Sequence, residues 1–279
     1  MDDYILEMRD VIFEYPGGIR ALNGISMAIE KGKNIAILGP NGSGKSTLFL
    51  HFNGILRPKS GRVFYRGQEI RYSRYYLINL RKKVGIVFQD PDTQLFAGSV
   101  FQEVSFGPMN LGFPITEVKK RVEEALKAAG IEELEHRPTH FLSYGQKKRV
   151  SIADVLAMDP EVLILDEPAA YLDPKHVEKL LEILEELRRK GKQVILSTHD
   201  VELAYSWADY VFILKDGKVA GEGTPTEIFQ NEKLLKEADL KKPLLLEICE
   251  VLKQKGFIFD RLPRNILELR REDLFWAKA

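Results

Sequence analysis

A single cysteine, Cys249, occurs among the 279 residues, so no disulfide can form within the chain and a reducing compartment fits. Charge of neither sign is in excess: 41 Lys and Arg balance 41 Asp and Glu. Nucleic-acid-binding proteins usually carry a basic surplus, and none is present. Long apolar runs are also missing. The longest, 35–38 (IAIL), 162–165 (VLIL) and 211–214 (VFIL), have strand length and fall far short of the ~20 residues that cross a bilayer. The start, Met1-Asp2-Asp3-Tyr4, lacks the basic and then apolar pattern of a secretory leader. Any membrane role is therefore expected to come through a partner. No internal repeat or low-complexity tract stands out.

What is present is ordinary in bulk. Hydrophobic residues make up 44% and charged residues 29%, as in a globular protein, and the length suits one large domain or two small ones. Segments 4–15 and 22–29 alternate like antiparallel strands around a Pro16-Gly17-Gly18 turn. A strand at 35–38 leads through a glycine-rich turn into a helix from Lys45, and further strands fit 84–88, 162–166 and 193–197. Helical spacing over 117–129 aligns Val118, Val122, Ala125, Leu126 and Ala129. Over 175–190 it aligns Val177, Leu180, Leu181, Leu184 and Leu187. Strands alternating with helices predict a parallel sheet covered on both sides. The helical stretch from about 90 to 157 reads as a subdomain inserted into it. The pattern breaks at Gly223-Thr224-Pro225. An amphipathic helix near 243–255, with Leu245, Ile248, Cys249 and Leu252 aligned, makes Cys249 a buried core thiol.

The strongest chemical signal is Gly39, Pro40, Asn41, Gly42, Ser43, Gly44, Lys45 and Ser46. It matches a phosphate-binding loop directly after a strand and at the start of a helix. Glycines let backbone N–H groups turn toward phosphate oxygens, and the helix N-terminus adds partial positive charge. Lys45 can reach terminal phosphates, and Ser46 can hold Mg²⁺. A chance glycine turn would lack this context. Four apolar residues then end in Asp166 and Glu167 at 162–167. Acids at the carboxyl end of a buried strand face the ligand side of such sheets. Asp166 is placed to bind the metal, and Glu167 to polarise a water. Alone, that pattern is often a strand leaving the core; beside a phosphate loop it reads as catalytic.

The order of these motifs, from residue 4 to about 235, resembles that of the ABC ATPases. Leu142-Ser143-Tyr144-Gly145-Gln146 is similar to the signature motif of that superfamily, with Tyr144 where glycine is usual. The resemblance implies an α/β fold, a P-loop NTPase with a mixed sheet core, an N-terminal antiparallel β subdomain and the inserted helical subdomain. A C-terminal α/β tail would occupy 236–279. It implies ATP and Mg²⁺ as cofactors, with the metal on Ser46, Gln89 and Asp166. Gln89 and His199 would join Glu167 in catalysis, as the residues that sense the attacking water and the γ-phosphate. Tyr15 would stack on adenine, and Thr47 would extend the nucleotide loop. Ser143, Gly145 and Gln146 would complete the site of a second copy, from a helix expected after Gln146 whose N-terminal dipole favours an anion. Asp173 matches an acid that crosses the dimer interface, although Tyr171 replaces the small residue usual nearby.

Segments 88–112, 142–150, 155–160 and 223–229 resemble the energy-coupling factor ATPases, most of all the cobalt/nickel type. The likeness weakens after about 255. It implies a homodimer, or a pair with a related ATPase, working with integral membrane coupling and substrate-binding subunits from the cytoplasmic face. A vitamin importer of the same kind remains the alternative. A non-transport ABC ATPase would carry coiled coils or a second cassette, and a small-molecule kinase would lack the signature and His199. Phe96, Phe101 and Phe106 lie where a coupling helix docks in such transporters. The core between subdomains is the competing place for Phe96 and the expected one for the other two. His136 and His140 are separated by Pro138, which breaks helical alignment; they are expected as exposed loop residues and not metal ligands.

Overall fold

The computed structural model describes residues 3–271 and the pair 275–276. Met1 and Asp2 of the acidic start, and 272–274 and 277–279 of the expected tail, lie outside the described residues. Strands β1 (Tyr4–Tyr15) and β2 (Ile19–Glu30) pair antiparallel across the Pro16-Gly17-Gly18 turn, with Tyr15 opposite Ile19. Next come β3 (Ile35–Leu38) and α1 (Lys45–Phe52). β4 (Ser60–Tyr65) and the short β5 (Gln68–Glu69) then complete a four-stranded sheet in the order β2-β1-β4-β5. Helix α2 (Arg74–Lys83) leads directly into β6 (Val84–Val87).

Between β6 and the next strand the chain is helical. α3 (Val100–Asn110), α4 (Ile115–Ala129) and α5 (Tyr144–Leu156) pack on one another around a core of their own. α4 buries Val118, Val122, Ala125, Leu126 and Ala129, the stripe its helical spacing predicts. The chain then runs through β7 (Val162–Leu165), α6 (Pro174–Arg189), β8 (Gln193–Thr198), α7 (Val201–Trp207), β9 (Tyr210–Lys215) and β10 (Lys218–Gly223). The second sheet has six strands in the order β10-β9-β3-β8-β7-β6. β9, β3, β8, β7 and β6 are parallel, and β10 turns back antiparallel at the edge.

The three apolar runs are central strands of this sheet, covered on both faces, which is why they do not alternate with polar residues. Successive side chains still point opposite ways. Ala36, Leu38, Leu163, Leu165, Val211 and Ile213 enter a core shared with α6 and α7. Ile35, Ile37, Val162, Ile164, Phe212 and Leu214 enter a second core against α1 and the four-stranded sheet.

Helices α8 (Pro225–Gln230), α9 (Glu232–Glu237) and α10 (Leu244–Gln254) follow. The two-residue strand β11 (Phe257–Ile258), helix α11 (Ile266–Arg271) and β12 (Phe275–Trp276), which pairs with β11, end the description. Cys249 is fully buried, as expected. Its helix is rotated from the expected phase, however: Leu246 is buried beside it and Ile248 is exposed. On α6, Ile183 joins Leu180, Leu184 and Leu187 in the core, while Val177 and Leu181 are only half-buried. These two and Leu245 line a shallow apolar groove between α6 and α10, so the expected stripes face each other without filling the space.

Candidate functional site: a phosphate loop beside paired acids

Parallel neighbours end side by side. The register sets Leu38 against Thr198 and Leu165 against Leu196, so the residues just past β3, β7 and β8 meet at one edge of the sheet. There a cleft of about 440 Å³ is lined by Tyr15, the loop 41–47, Gln89, Asp166 and Glu167. A larger groove of about 750 Å³, between α4 and α6, has a rim of lysines and glutamates and none of these motifs.

The loop is held from two sides. A Cβ at Gly39 would lie 2.2 Å from Leu214 O, and one at Gly44 would lie 2.6 Å from Ala21 O; both positions also have positive φ. Only glycine tolerates that backbone and that approach. Gly217, in the turn between β9 and β10, donates from its N–H to Ser43 O at 3.2 Å and accepts from Asn23 N at 2.7 Å. The loop thus sits between the β9–β10 turn and β2. Helix α1 then begins at Lys45 with no side-chain cap and no acid in its first turn. Its first N–H groups are left for an anion.

Lys45 Nζ donates to Gly39 O at 2.7 Å and Pro40 O at 3.2 Å, and lies 3.6 Å from Glu167 Oε1. Glu167 is buried and takes φ of 45°, a costly backbone for a side-chain-bearing residue. Its N–H donates to Ser197 Oγ at 2.9 Å, and Ser197 Oγ donates to Asp166 Oδ1 at 2.5 Å. Glu167 Oε2 lies 2.9 Å from His199 Nδ1. Glu167 Oε1 and Ser43 Oγ are buried with no hydrogen-bond partner among the described residues. Buried polar atoms are nearly always bonded, so these two are open to a ligand. Asp166 and Ser46 offer only oxygen donors nearby, which suits a hard cation such as Mg²⁺.

Tyr15 lines the same cleft, with its hydroxyl 3.2 Å from Thr47 Oγ1 and its ring edge-on to Phe13. Ser143, Gly145 and Gln146 are not among the residues lining it. They start α5, which begins at Tyr144 and not after Gln146 as expected. The reason is a cap: Ser143 Oγ accepts from Gln146 N and Gln146 Oε1 accepts from Ser143 N, a reciprocal capping box. Asp173 caps α6 and holds His176 Nδ1 at 2.7 Å.

Two residues at the site carried no sequence expectation. Ser197 locks both acids, and its only signal was a hydroxyl ending an apolar strand. Lys148 is buried on α5, and its Nζ donates to Phe88 O and Gln89 O. Burial lowers its pKa to about 8. Away from the cleft, Phe101 packs against the helical core. Phe106 does not enter the core as expected: it is 49% exposed and stacks edge-on with Phe96, itself 66% exposed. His136 and His140 are exposed.

The profile of the ABC transporter family matches residues 22–170. An energy-coupling factor transporter ATP-binding protein, EcfA, of Methanocaldococcus jannaschii is 49% identical over 96% of this chain and 99% of its own. The solved structure of CbiO1 from Clostridium perfringens, part of the ABC transporter complex CbiONQ, superposes with a TM-score of 0.76. It is 48% identical over 90% of this chain and 99% of that one. A dimeric ATP-binding cassette in a post-hydrolysis state with ADP and Pi superposes with a TM-score of 0.73, at 30% identity over 79% of this chain and 99% of that one.

Proposed function

The chain belongs to the ABC transporter family as an energy-coupling factor ATP-binding subunit, and on that premise we propose that it powers the uptake of cobalt or nickel ions. It is an ATPase. The observation that carries the assignment of its chemistry is the cluster of Lys45, Glu167 and His199, with the carboxylate 3.6 Å from the ammonium and 2.9 Å from the imidazole. Lys45 and the N–H groups of the 39–47 loop take the phosphates, and Tyr15 stacks on the adenine. Glu167 accepts the proton of the attacking water, oriented by Gln89 and His199. Ser46, Gln89 and Asp166 would hold Mg²⁺, which would supply neutralisation of the phosphate charge.

Ser143, Gly145 and Gln146 act on the γ-phosphate held by a second copy or a related ATPase. Their place at the start of α5, apart from the chain's own cleft, with Ser143 exposed and Gly145 and Gln146 half-buried, supports that reading. No described helix is long and apolar enough to cross a membrane, and the Phe96–Phe106 pair is a candidate seat for a membrane subunit at the cytoplasmic face. The metal reading is supported by the likeness at 88–112 and by the CbiO1 neighbour. Among the described residues no group of three or more His, Cys, Asp or Glu could hold a metal ion; we assign transport specificity to the membrane partners. Expressed with its membrane subunits, the complex should accumulate labelled cobalt or nickel, and a Glu167→Gln version should not. Uptake of biotin or another vitamin without metal uptake would reject the metal reading.

A further inference from the structure

The carbonyl of Gln89 receives two donors from one helix. Tyr144 Oη donates to it at 3.2 Å and Lys148 Nζ at 2.7 Å, and Lys148 also donates to Phe88 O at 2.9 Å. Gln94 makes a third tie: its Oε1 accepts from Phe88 N at 3.1 Å, and its Nε2 donates to Ser151 O at 3.0 Å. Positions 144, 148, 151 and 155 form one helical face. At its far end Val155 lies so close to β6 that a Cβ on Gly85 would come within 2.3 Å of it. α5 is therefore seated along β6 and the two residues that follow it.

Tyr144 makes one more contact. Its ring meets that of Tyr171 edge to face, with centroids 5.7 Å apart. Tyr171 is 82% exposed and takes φ of 62°, and it lies two residues before Asp173. The start of α5, the segment carrying Gln89 and the loop before α6 thus meet at one side chain.

We infer that Tyr144 and Lys148 are positioning residues, which fix Gln89 in the nucleotide cleft by its main-chain carbonyl and so let the start of α5 set the catalytic geometry of its own chain. The inference rests on the role given to Gln89 above. The side chain of Gln89 is exposed, so its backbone anchor governs where the amide can reach. A shift of α5, whose first residues face the second copy, then moves Gln89 in this copy.

The test compares Tyr144→Phe, Lys148→Met and Gln89→Ala, singly and combined, in the full-length protein. Tyr144→Phe removes only a hydroxyl at a half-buried site and should fold normally. It should lower kcat about three- to tenfold, the worth of one hydrogen bond, with KM for ATP unchanged. Lys148→Met, which loses a charged donor, should lower kcat about ten- to a hundredfold. In the Gln89→Ala background neither should slow turnover further, since the group being positioned is gone. Losses that multiply with Gln89→Ala, or that fall on KM, would overturn the inference and mark the two as structural. If Gln89→Ala is slow while Tyr144→Phe turns over at the wild-type rate, the inference falls and the role of Gln89 stands. Wild-type turnover in Gln89→Ala would sink both.

Discussion

Replacing Glu167 with Gln exchanges one oxygen for an amide nitrogen and keeps the side-chain volume. The side chain is only 6% exposed, yet the fold should hold, because the backbone anchor to Ser197 Oγ is untouched. The ground state should also be preserved. Lys45 keeps its bonds to Gly39 O and Pro40 O, so the loop retains its shape. The carboxylate 3.6 Å from Lys45 Nζ competes with phosphate for the same ammonium, and a neutral amide does not. ATP affinity should therefore be equal to or tighter than that of the wild type. The loss falls on the chemical step. Removing a positioned general base costs about 10²–10⁴ in rate, or ~2.7–5.4 kcal/mol of barrier at ~1.36 kcal/mol per decade. Phosphate release under saturating ATP reads the rate, equilibrium dialysis reads the affinity, and gel filtration with ATP should show the variant accumulating as a dimer. Turnover within about threefold of wild type, a span too small for a lost base, would refute the assignment.

Two further outcomes follow from the geometry. Lys45→Ala and Ser143→Arg should each be inactive alone, but mixing them should restore activity, because in a mixed dimer both lesions share one site and the other is whole; a mixture as inactive as its parents would count against sites built from two chains. Burial pushes the carboxyl of Asp154, which accepts from Gln94 Nε2, up to about 7 from 3.8, with Glu103 adding to the shift. The folded chain therefore keeps a proton that the unfolded chain has released, and stability falls as pH rises from about 4 through 7, by at most about 1.4 kcal/mol per pH unit. Asp154→Asn should remove that component, read as the difference between variant and wild type in urea melts across this range; parallel curves would show that Asp154 does not titrate there.

The phosphate loop, the strands at 35–38 and 162–165 and the stripe of α4 were legible because each has a local cause: a fixed spacing, or burial on both faces. What escaped was set by distant partners. α2 fully buries only Leu80, with Tyr76 and Leu77 packed partly against the second core, so its apolar stripe is a single turn long, and its clearest local sign was the capping Ser73. The phase of α10 is decided by docking Leu246 into the first core, with Cys249 fully buried on the same helix, where the periodicity of a short leucine-rich helix allows more than one face. Phe106 looked like core because it is aromatic, yet helix α3 turns it outward against Phe96. Lys148 was the hardest to read. A lysine beside Lys147 and Arg149 resembles a solvated face, and it is the carbonyls of Phe88 and Gln89, with the charges of Asp166, Asp90 and Glu167 nearby, all set by the fold, that make its burial tolerable.

The seating of the phosphate loop has a bearing on its portability. Gly39 needs room beside Leu214 O, Gly44 beside Ala21 O, and Ser43 O takes its donor from Gly217. Those three neighbours come from β9, β2 and the turn after β9, none of them adjacent to the loop in sequence. Grafted alone onto another strand and helix, residues 39–46 would keep their spelling and lose the walls that hold their N–H groups inward. The transplantable unit is the loop together with β2 and the β9–β10 hairpin. An insertion in that hairpin, remote from every catalytic side chain, should therefore be felt first as a loss of nucleotide binding.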